Sequence, residues 1–373
     1  MIYFDNSATT YKKPLCVKLA TLAGLKVANP GRSGHSLSIN AGKKIFKARL
    51  KLQSFFNVPR QEDVIFTQNC TEALNMAIFG SKQKGHVIAS TFEHNSVLRP
   101  LKKLEEDGLI SLTILSPAKD NIITAQDVLS AIKDNTYLVC ISYINNTLGN
   151  KNEIHKIGKL CREKNIKLLC DCAQASGHID IDMQRDNISM LAFAGHKGFF
   201  APQSIGGLCL NNTQLSPLKY GGTGTNSESL SMPDQTPESL ESGTLACPQI
   251  FGLSAGVDYV IKHFERHTKK VAKLTEYLLD NLSSIGAKIY TNKDSKYGVV
   301  LFNLKNFDSV ELSQILDEKY NIMVRGGLHC AGLAHTYLKT LKTGAVRASL
   351  NHYNTKRQID KFIKALKDIQ NTY

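Results

Sequence analysis

Between residues 86 and 210 the chain alternates short, almost wholly apolar runs with longer stretches in which apolar residues recur every three or four positions. HVIAS (86–90), TYLVCISYI (136–144), IKLLC (166–170), MLAFAG (190–195) and GGLCL (206–210) are of the first kind. Runs with no polar face predict strands buried on both sides. NEIHKIGKLCREKN (152–165) is of the second kind and places Ile154, Ile157, Leu160 and Cys161 on one helical face. Strands alternating with helices predict an α/β fold with a mostly parallel sheet covered on both faces. In such sheets ligands gather at the carboxyl ends of the strands.

Near residue 250 the pattern changes. FGLSAGVDYVIKHFERHTKKVAKLTEYLLDNLSSIG reads as one long helical repeat with at most one break. Shorter strands in KIYTN and YGVVLFNL follow, and then two further helices. This predicts a smaller α+β domain. At 373 residues the chain exceeds the size at which one core keeps growing, so two domains are expected. The large one is placed at 14–250, and the small one at 1–13 and 251–373.

Composition changes this picture little. Hydrophobic residues at 42% and charged residues at 21% describe an ordinary globular chain. MIYFDNSATT has neither a basic stretch nor an apolar one of the signal-peptide kind, and no apolar run approaches the about 18 residues of a membrane span. A soluble, cytoplasmic protein with no membrane partner is expected. The nine cysteines are an odd number without framework spacing, which favours free thiols. Cys170 and Cys172 lack the second pair that a zinc site needs, so no metal is expected. The net charge of +14 would attract anionic partners. The lysines are dispersed, however, and those in KRQIDKFIKALKDI (356–369) lie opposite an apolar stripe of Ile359, Phe362, Ile363 and Leu366. That is a solvated helix face rather than a nucleic-acid arm.

Four strand ends carry chemistry. In VIFTQNCTEALNMAIFG (64–80) a strand turns into a helix near Cys70 and Thr71, whose free N–H groups would hold a phosphate; plain N-capping fits equally well. His94, in STFEHNSV after the next strand, is placed to stack on a ring or to move a proton. Asp171 ends the strand of LLCDCAQASG, with Gln174 three residues on, and a carboxylate there needs a cationic partner such as a pyridinium. Lys197, in FAGHKGFF, follows a strand and can become a Schiff-base nucleophile when desolvated. Each alone fits a structural role; together they describe a site for a phosphate-bearing carbonyl cofactor. No GxGxxG, Walker A or HExxH motif competes.

With YFDNSATT, NPGRSGHSLS, EHNSVLRPL, DCAQASG, GHKG, GGTGTNSES, LESGTLACP, RGGLHCA and VRASLNHYNT, the chain resembles the class V aminotransferase-fold enzymes end to end. Within them it is most similar to the cysteine desulfurase and selenocysteine lyase group, in the branch with a short catalytic-cysteine segment. The resemblance implies the aspartate aminotransferase-like fold and pyridoxal 5'-phosphate. Lys197 would carry the Schiff base, Asp171 pair with the pyridine nitrogen, Gln174 hold the phenolic oxygen and His94 stack on the ring. Cys70, Thr71 and His196 would hold the phosphate. Thr244 would reach the phosphate of a second subunit, which implies a homodimer. Arg347 would fork onto the substrate carboxylate. Asn146 would orient cofactor and substrate, with His35 and Arg325 as further substrate contacts.

Cys330, in RGGLHCAG (325–332), would attack the sulfur of L-cysteine, with Arg325 and the cofactor's charge supporting its thiolate. L-Alanine would leave, and a persulfide on Cys330 would pass to an acceptor, expected to be a protein. Glycines 326, 327 and 332 suggest a mobile segment. Two departures stand out: Ala194 replaces a hydroxyl residue, and Leu328 replaces a histidine, leaving His329 beside the thiol. Selenocysteine lyase, another lyase of the group and an aminotransferase are alternatives of the same chemistry. A non-catalytic scaffold or nucleic-acid binder is the alternative of another class.

Overall fold

The computed structural model describes residues 1–30 and 33–372; Gly31 and Arg32, within NPGRSGHSLS, lie outside them. In chain order the strands are β1 (Ile2–Tyr3), β2 (Val64–Thr67), β3 (Gly85–Ser90), β4 (Ile110–Leu115), β5 (Thr136–Ser142) and β6 (Lys167–Asp171). After them come β7 (Met190–Ala194), β8 (Gly206–Leu210), β9 (Lys288–Ile289), β10 (Val299–Asn303), β11 (Ile322–Met323) and β12 (Val346–Ser349).

Seven strands form the central sheet in the order β2-β8-β7-β6-β5-β3-β4. β4, β3, β5, β6 and β7 run parallel, and β8 runs antiparallel to both its neighbours. The apolar runs of the sequence are its buried strands. β4 is the strand they do not announce: Ser111 and Thr113 interrupt ISLTIL, because this edge strand is covered less completely than the centre.

Helices α1 (Leu15–Gly24), α2 (Ser36–Phe56), α3 (Cys70–Gly80), α4 (Asn95–Glu106), α5 (Ala125–Ala131) and α6 (Ile154–Glu163) belong to this part of the chain. α3 begins directly on the sheet. A Cβ at Gly206 would strike the Asn69–Cys70 backbone, so this glycine is what lets the helix start approach the strand.

α7 (Cys247–Ser284) is a single helix of 38 residues, and the break allowed by the sequence does not occur. Its one proline, Pro248, sits in the first turn, where the missing N–H is harmless. Gly252 and Gly256 fall where the helix meets Pro202 and the Phe199 carbonyl, so they serve packing and do not break it. The first part of α7, through Val260, packs into the core of the large sheet. From Leu274 onward it joins a second core built with Val300, Phe302 and Phe362.

That second core covers the three-stranded sheet β12-β10-β9. Three helices follow α7 where the sequence suggested two: α8 (Ser309–Tyr320), α9 (Gly332–Tyr337) and α10 (Lys356–Thr372). α9 has six residues, too few to display an apolar period. The stripe on α10 is buried as its spacing implies. The N-terminus joins the same part: β1 pairs in parallel with β11, and the Asn6 amide donates to the Ser349 carbonyl at 2.9 Å. Among the described residues no helix is long and apolar enough to cross a membrane.

Candidate active site

β3, β5, β6 and β7 end at Ser90, Ser142, Asp171 and Ala194, and the chain just beyond these ends surrounds a cavity of about 230 Å³. Asp171, Gln174, His196 and Lys197 line it from the sheet side, with His94 and Asn146. Cys70 and Thr71 line it from the start of α3. Arg325, His329 and Arg347 close it from the C-terminal part.

Asp171 is buried and held by its surroundings. One carboxylate oxygen accepts the Ala173 N–H at 2.9 Å and lies 3.6 Å from the Cys70 sulfur. Its backbone carbonyl accepts the Tyr143 N–H. Burial beside this acid raises the Cys70 thiol far above its ordinary value, so Cys70 stays protonated. Burial acts in the opposite direction on Lys197: it lowers the ammonium pKa, against the pull of Asp171 and with help from Arg347 and Arg325.

His94 caps α4. Its Nδ1 accepts the Ser96 N–H at 3.1 Å and lies 2.8 Å from the Ser96 hydroxyl, so the ring hydrogen is assigned to Nε2. Burial lowers its pKa to about 4, the Lys197 and arginine charges opposing Asp171 beyond that. The ring is therefore neutral at pH 7. Ser96 also meets the Thr71 hydroxyl at 2.8 Å, linking the His94 turn to the start of α3.

His196 is likewise lowered to about 4 by burial and by the charges of Lys197 and Lys13, and its Nδ1 is buried without a partner among the described residues. Its carbonyl is clamped from the N-terminal segment: the Thr10 N–H, the Thr10 hydroxyl and the Lys13 ammonium donate to it at 3.2, 3.0 and 3.1 Å. Gln174 donates one amide hydrogen to the Ser7 carbonyl at 3.0 Å, which leaves the other free.

Arg347 is 1% exposed. It donates from Nη1 to the Asn146 carbonyl at 2.9 Å and from Nη2 to Asp5 at 3.1 Å, and its Nε has no partner among the described residues. A buried guanidinium with one edge unspent is prepared to bind a carboxylate. Asn146 also donates to the His329 carbonyl at 2.9 Å. His329 points Nε2 at the Ala345 carbonyl at 3.0 Å and leaves Nδ1 buried and unpaired. Burial and the Arg347 charge keep this ring neutral.

The class-V aminotransferase family matches residues 2–362. The chain belongs to this family. Among class-V relatives, a probable cysteine desulfurase of Methanothermobacter thermautotrophicus is 34% identical over 99% of this chain and 94% of its own length. The cysteine desulfurase IscS of Rickettsia akari is 30% identical over 96% and 88%. The apo structure of a cysteine desulfurase from Thermococcus onnurineus NA1 superimposes with a TM-score of 0.90 at 27% identity, covering 99% of this chain and 94% of that one. The aspartate aminotransferase-like fold expected from the motifs is thus the fold found.

Three expected residues lie outside this class-V cavity. His35 is exposed and caps α2, accepting the Ser38 N–H. Thr244 is exposed in the segment before α7. Cys330 is half-buried at the cavity's edge, its sulfur 3.7 Å from Nη2 of Arg325. The segment around it is not the loose loop its glycines suggested. Asn95 N–H donates to the Cys330 carbonyl at 2.8 Å, and Ala345 N–H to the Gly327 carbonyl at 3.1 Å. A Cβ at Gly326 would fall on the Ser309 carbonyl, so this glycine permits close packing. His329 and Cys330 both adopt left-handed backbone, φ 53° and 57°, which non-glycine residues rarely do.

The sequence reading assigned no role to Asp5, Lys13 or Ser96. YFDNSATT contained the signal for the first: an acid just past the opening strand of a chain whose site holds a buried arginine. Ser96 was hidden by its ordinary place in a helix start. Ala194 lines the cavity without a hydroxyl, and Thr71 and Ser96 bring hydroxyls to the same lining. Leu328 is 38% exposed and points no group at the site.

Proposed function

We propose that this chain is a pyridoxal-phosphate-dependent cysteine desulfurase that converts L-cysteine to L-alanine and carries the sulfur away on Cys330. What carries the reading is one juxtaposition: a half-buried lysine and a buried aspartate share a cavity with Arg325, whose Nη2 lies 3.7 Å from the Cys330 sulfur. The residues fit the cofactor. Lys197 has the lowered pKa of a Schiff-base amine, and Asp171 is an acid held where a pyridine nitrogen would meet it. The start of α3 and the unpartnered His196 Nδ1 are donors for a phosphate, and the neutral His94 ring offers a stacking face.

Pyridoxal phosphate, when bound, supplies the electron sink for the pair released at the substrate Cα. Arg347 binds the substrate carboxylate through its free edge, with Asn146 and Asp5 fixing the guanidinium plane. The Lys197 amine, whose pKa desolvation lowers, takes the Cα proton. His329 Nδ1 is the free acceptor for the substrate's thiol proton. The Cys330 thiolate, beside Arg325, attacks the substrate sulfur. The substrate C–S bond breaks, an S–S bond forms, and the bonding pair returns to the substrate Cβ, which takes a proton. Cysteine plus an enzyme thiol becomes alanine plus an enzyme persulfide, with no further oxidant.

A homodimer accounts for the apolar side chains left open on α1 and α2. Leu15, Leu19, Leu22, Leu37 and Phe46 are 69%, 57%, 57%, 58% and 47% exposed. Thr244, exposed in its own chain, would complete the phosphate site of the second copy. The free cysteines suit a cytoplasmic setting.

Turnover on L-cysteine and L-selenocysteine, scored as alanine, tests the proposal. Cysteine turnover by the parent and its loss by more than about a hundredfold in Cys330→Ala is the expected result. Turnover confined to selenocysteine and indifferent to Cys330→Ala would make the enzyme a selenocysteine lyase.

A further inference from the structure

A groove of about 480 Å³ lies between α4, the edge strand β4 and α9. Its apolar floor is Leu98, Leu112, Ile114, Leu333 and Leu341. It adjoins the candidate nucleophile directly. Asn95, in its wall, donates to the Cys330 carbonyl, and Gly332 and Leu333 follow Cys330 by two and three residues. Leu328, Leu333, Tyr337 and Leu341, all within eleven residues of Cys330 in sequence, are 38%, 39%, 38% and 50% exposed. Monomer surfaces seldom leave such an apolar group uncovered without a binding role.

Among the described residues, the charge in its lining that is not engaged in an ion pair is positive. Arg99 lines the groove, is exposed, and makes no ion pair among the described residues. Lys339 and Lys342 flank Leu341 on the surface. The one acid in the lining, Glu105, is already engaged by Lys102 at 2.8 Å and by the Leu112 N–H at 3.3 Å. An apolar floor under a free cationic rim complements an apolar surface edged with carboxylates.

We propose that this groove docks the sulfur acceptor, a protein that presents its thiol on an apolar segment flanked by acidic residues. The inference rests on the desulfurase reading. Once docked, the acceptor thiolate attacks the outer sulfur of the Cys330 persulfide. The existing S–S bond breaks, a new one forms on the acceptor, and Cys330 leaves as thiolate. The acceptor's thiol proton goes to solvent, and nothing is oxidised or reduced overall.

The test uses the cofactor-loaded enzyme and three acceptors. Two are peptides with the same leucines around a single cysteine, one bearing four glutamates and the other four lysines; the third is dithiothreitol. The glutamate peptide is expected to be persulfidated at least about tenfold faster per mole than the lysine peptide. Arg99→Glu and Leu341→Glu, both surface changes, should abolish that preference and leave alanine formation with dithiothreitol within twofold of the parent. Equal rates for the two peptides, a preference for lysines, or variants that keep the parental preference would each overturn the proposal. No alanine from the parent with dithiothreitol would instead overturn the desulfurase reading beneath it.

Discussion

The cavity has two halves built in different ways. On the sheet side, Asp171 ends β6 and Lys197 and His94 sit just past strand ends, and their place follows from the parallel strands that stop there. On the C-terminal side, Arg325, His329 and Cys330 hang on a short segment with two consecutive left-handed residues, held by a few backbone hydrogen bonds. One half is fixed by strands packed into the large buried core. The other is held in place by single contacts, each of which one substitution can remove. The first suits groups that must remain fixed around a cofactor, the second a thiol that must meet a substrate and then an acceptor.

The largest effects should separate the halves. Lys197→Ala removes the base of the sheet side, so alanine formation should fall by at least about a thousandfold. Exchange of the substrate Cα hydrogen with solvent deuterium should disappear with it. Cys330→Ala should also stop alanine formation from cysteine yet leave that exchange running, since proton removal belongs to the other half. Mass spectrometry of recovered cysteine reads the difference. If Cys330→Ala lost the exchange as fully as Lys197→Ala does, the two halves would not be chemically separate.

The halves were not equally legible in the sequence. Strand ends announce themselves, because apolar runs such as MLAFAG stop where a buried sheet stops, and the next polar residue lies at the site. The N-terminal clasp was harder to see. Lys13 and Thr10 meet the His196 carbonyl across more than 180 residues, a contact that no local pattern encodes. The long α7 allows one break in its sequence pattern, yet its glycines 252 and 256 make room for Pro202 and the Phe199 carbonyl in an unbroken helix. Around Cys330 the glycines were read as freedom. Packing uses one of them, Gly326, to bring two backbones together.

That last contrast can be measured. Gly326→Ala places a methyl group on the Ser309 carbonyl and must displace the segment, at a cost of about 2–4 kcal/mol. A Cβ at Gly332 meets nothing within 4 Å, and Ala at that helical position should change stability by less than about 1 kcal/mol. Urea unfolding of both variants, with alanine assays beside it, should find Gly326→Ala impaired in both and Gly332→Ala close to the parent. Equal behaviour of the two would mean that the segment is as loose as its composition suggested.

The smallest catalytic effect, and the best gauge of how firmly the sheet side is held, belongs to Glu93. This residue precedes His94 and is fully buried; Oε1 accepts the Ser90 hydroxyl at 2.5 Å and Oε2 has no partner among the described residues. Burial, with the charge of Asp171 adding to it and hydrogen bonds opposing, pushes its pKa up to about 8. A carboxyl whose folded pKa exceeds its unfolded one binds its proton more tightly when folded. Its contribution is therefore intact near pH 4.5, declines as pH rises toward about 8, and is constant above that. Glutamine keeps the shape of the neutral acid and cannot ionise. Glu93→Gln should match the parent in thermal stability near pH 5 and exceed it increasingly up to pH 8, by on the order of 1–3 kcal/mol, and no further beyond. Alanine formation at pH 7 should stay within about twofold, because a neutral side chain already stands there in most parent molecules. A stability difference that does not change between pH 5 and 9 would show an ionised Glu93. The sheet side would then owe its rigidity to a buried charge network, in place of the neutral packing described here.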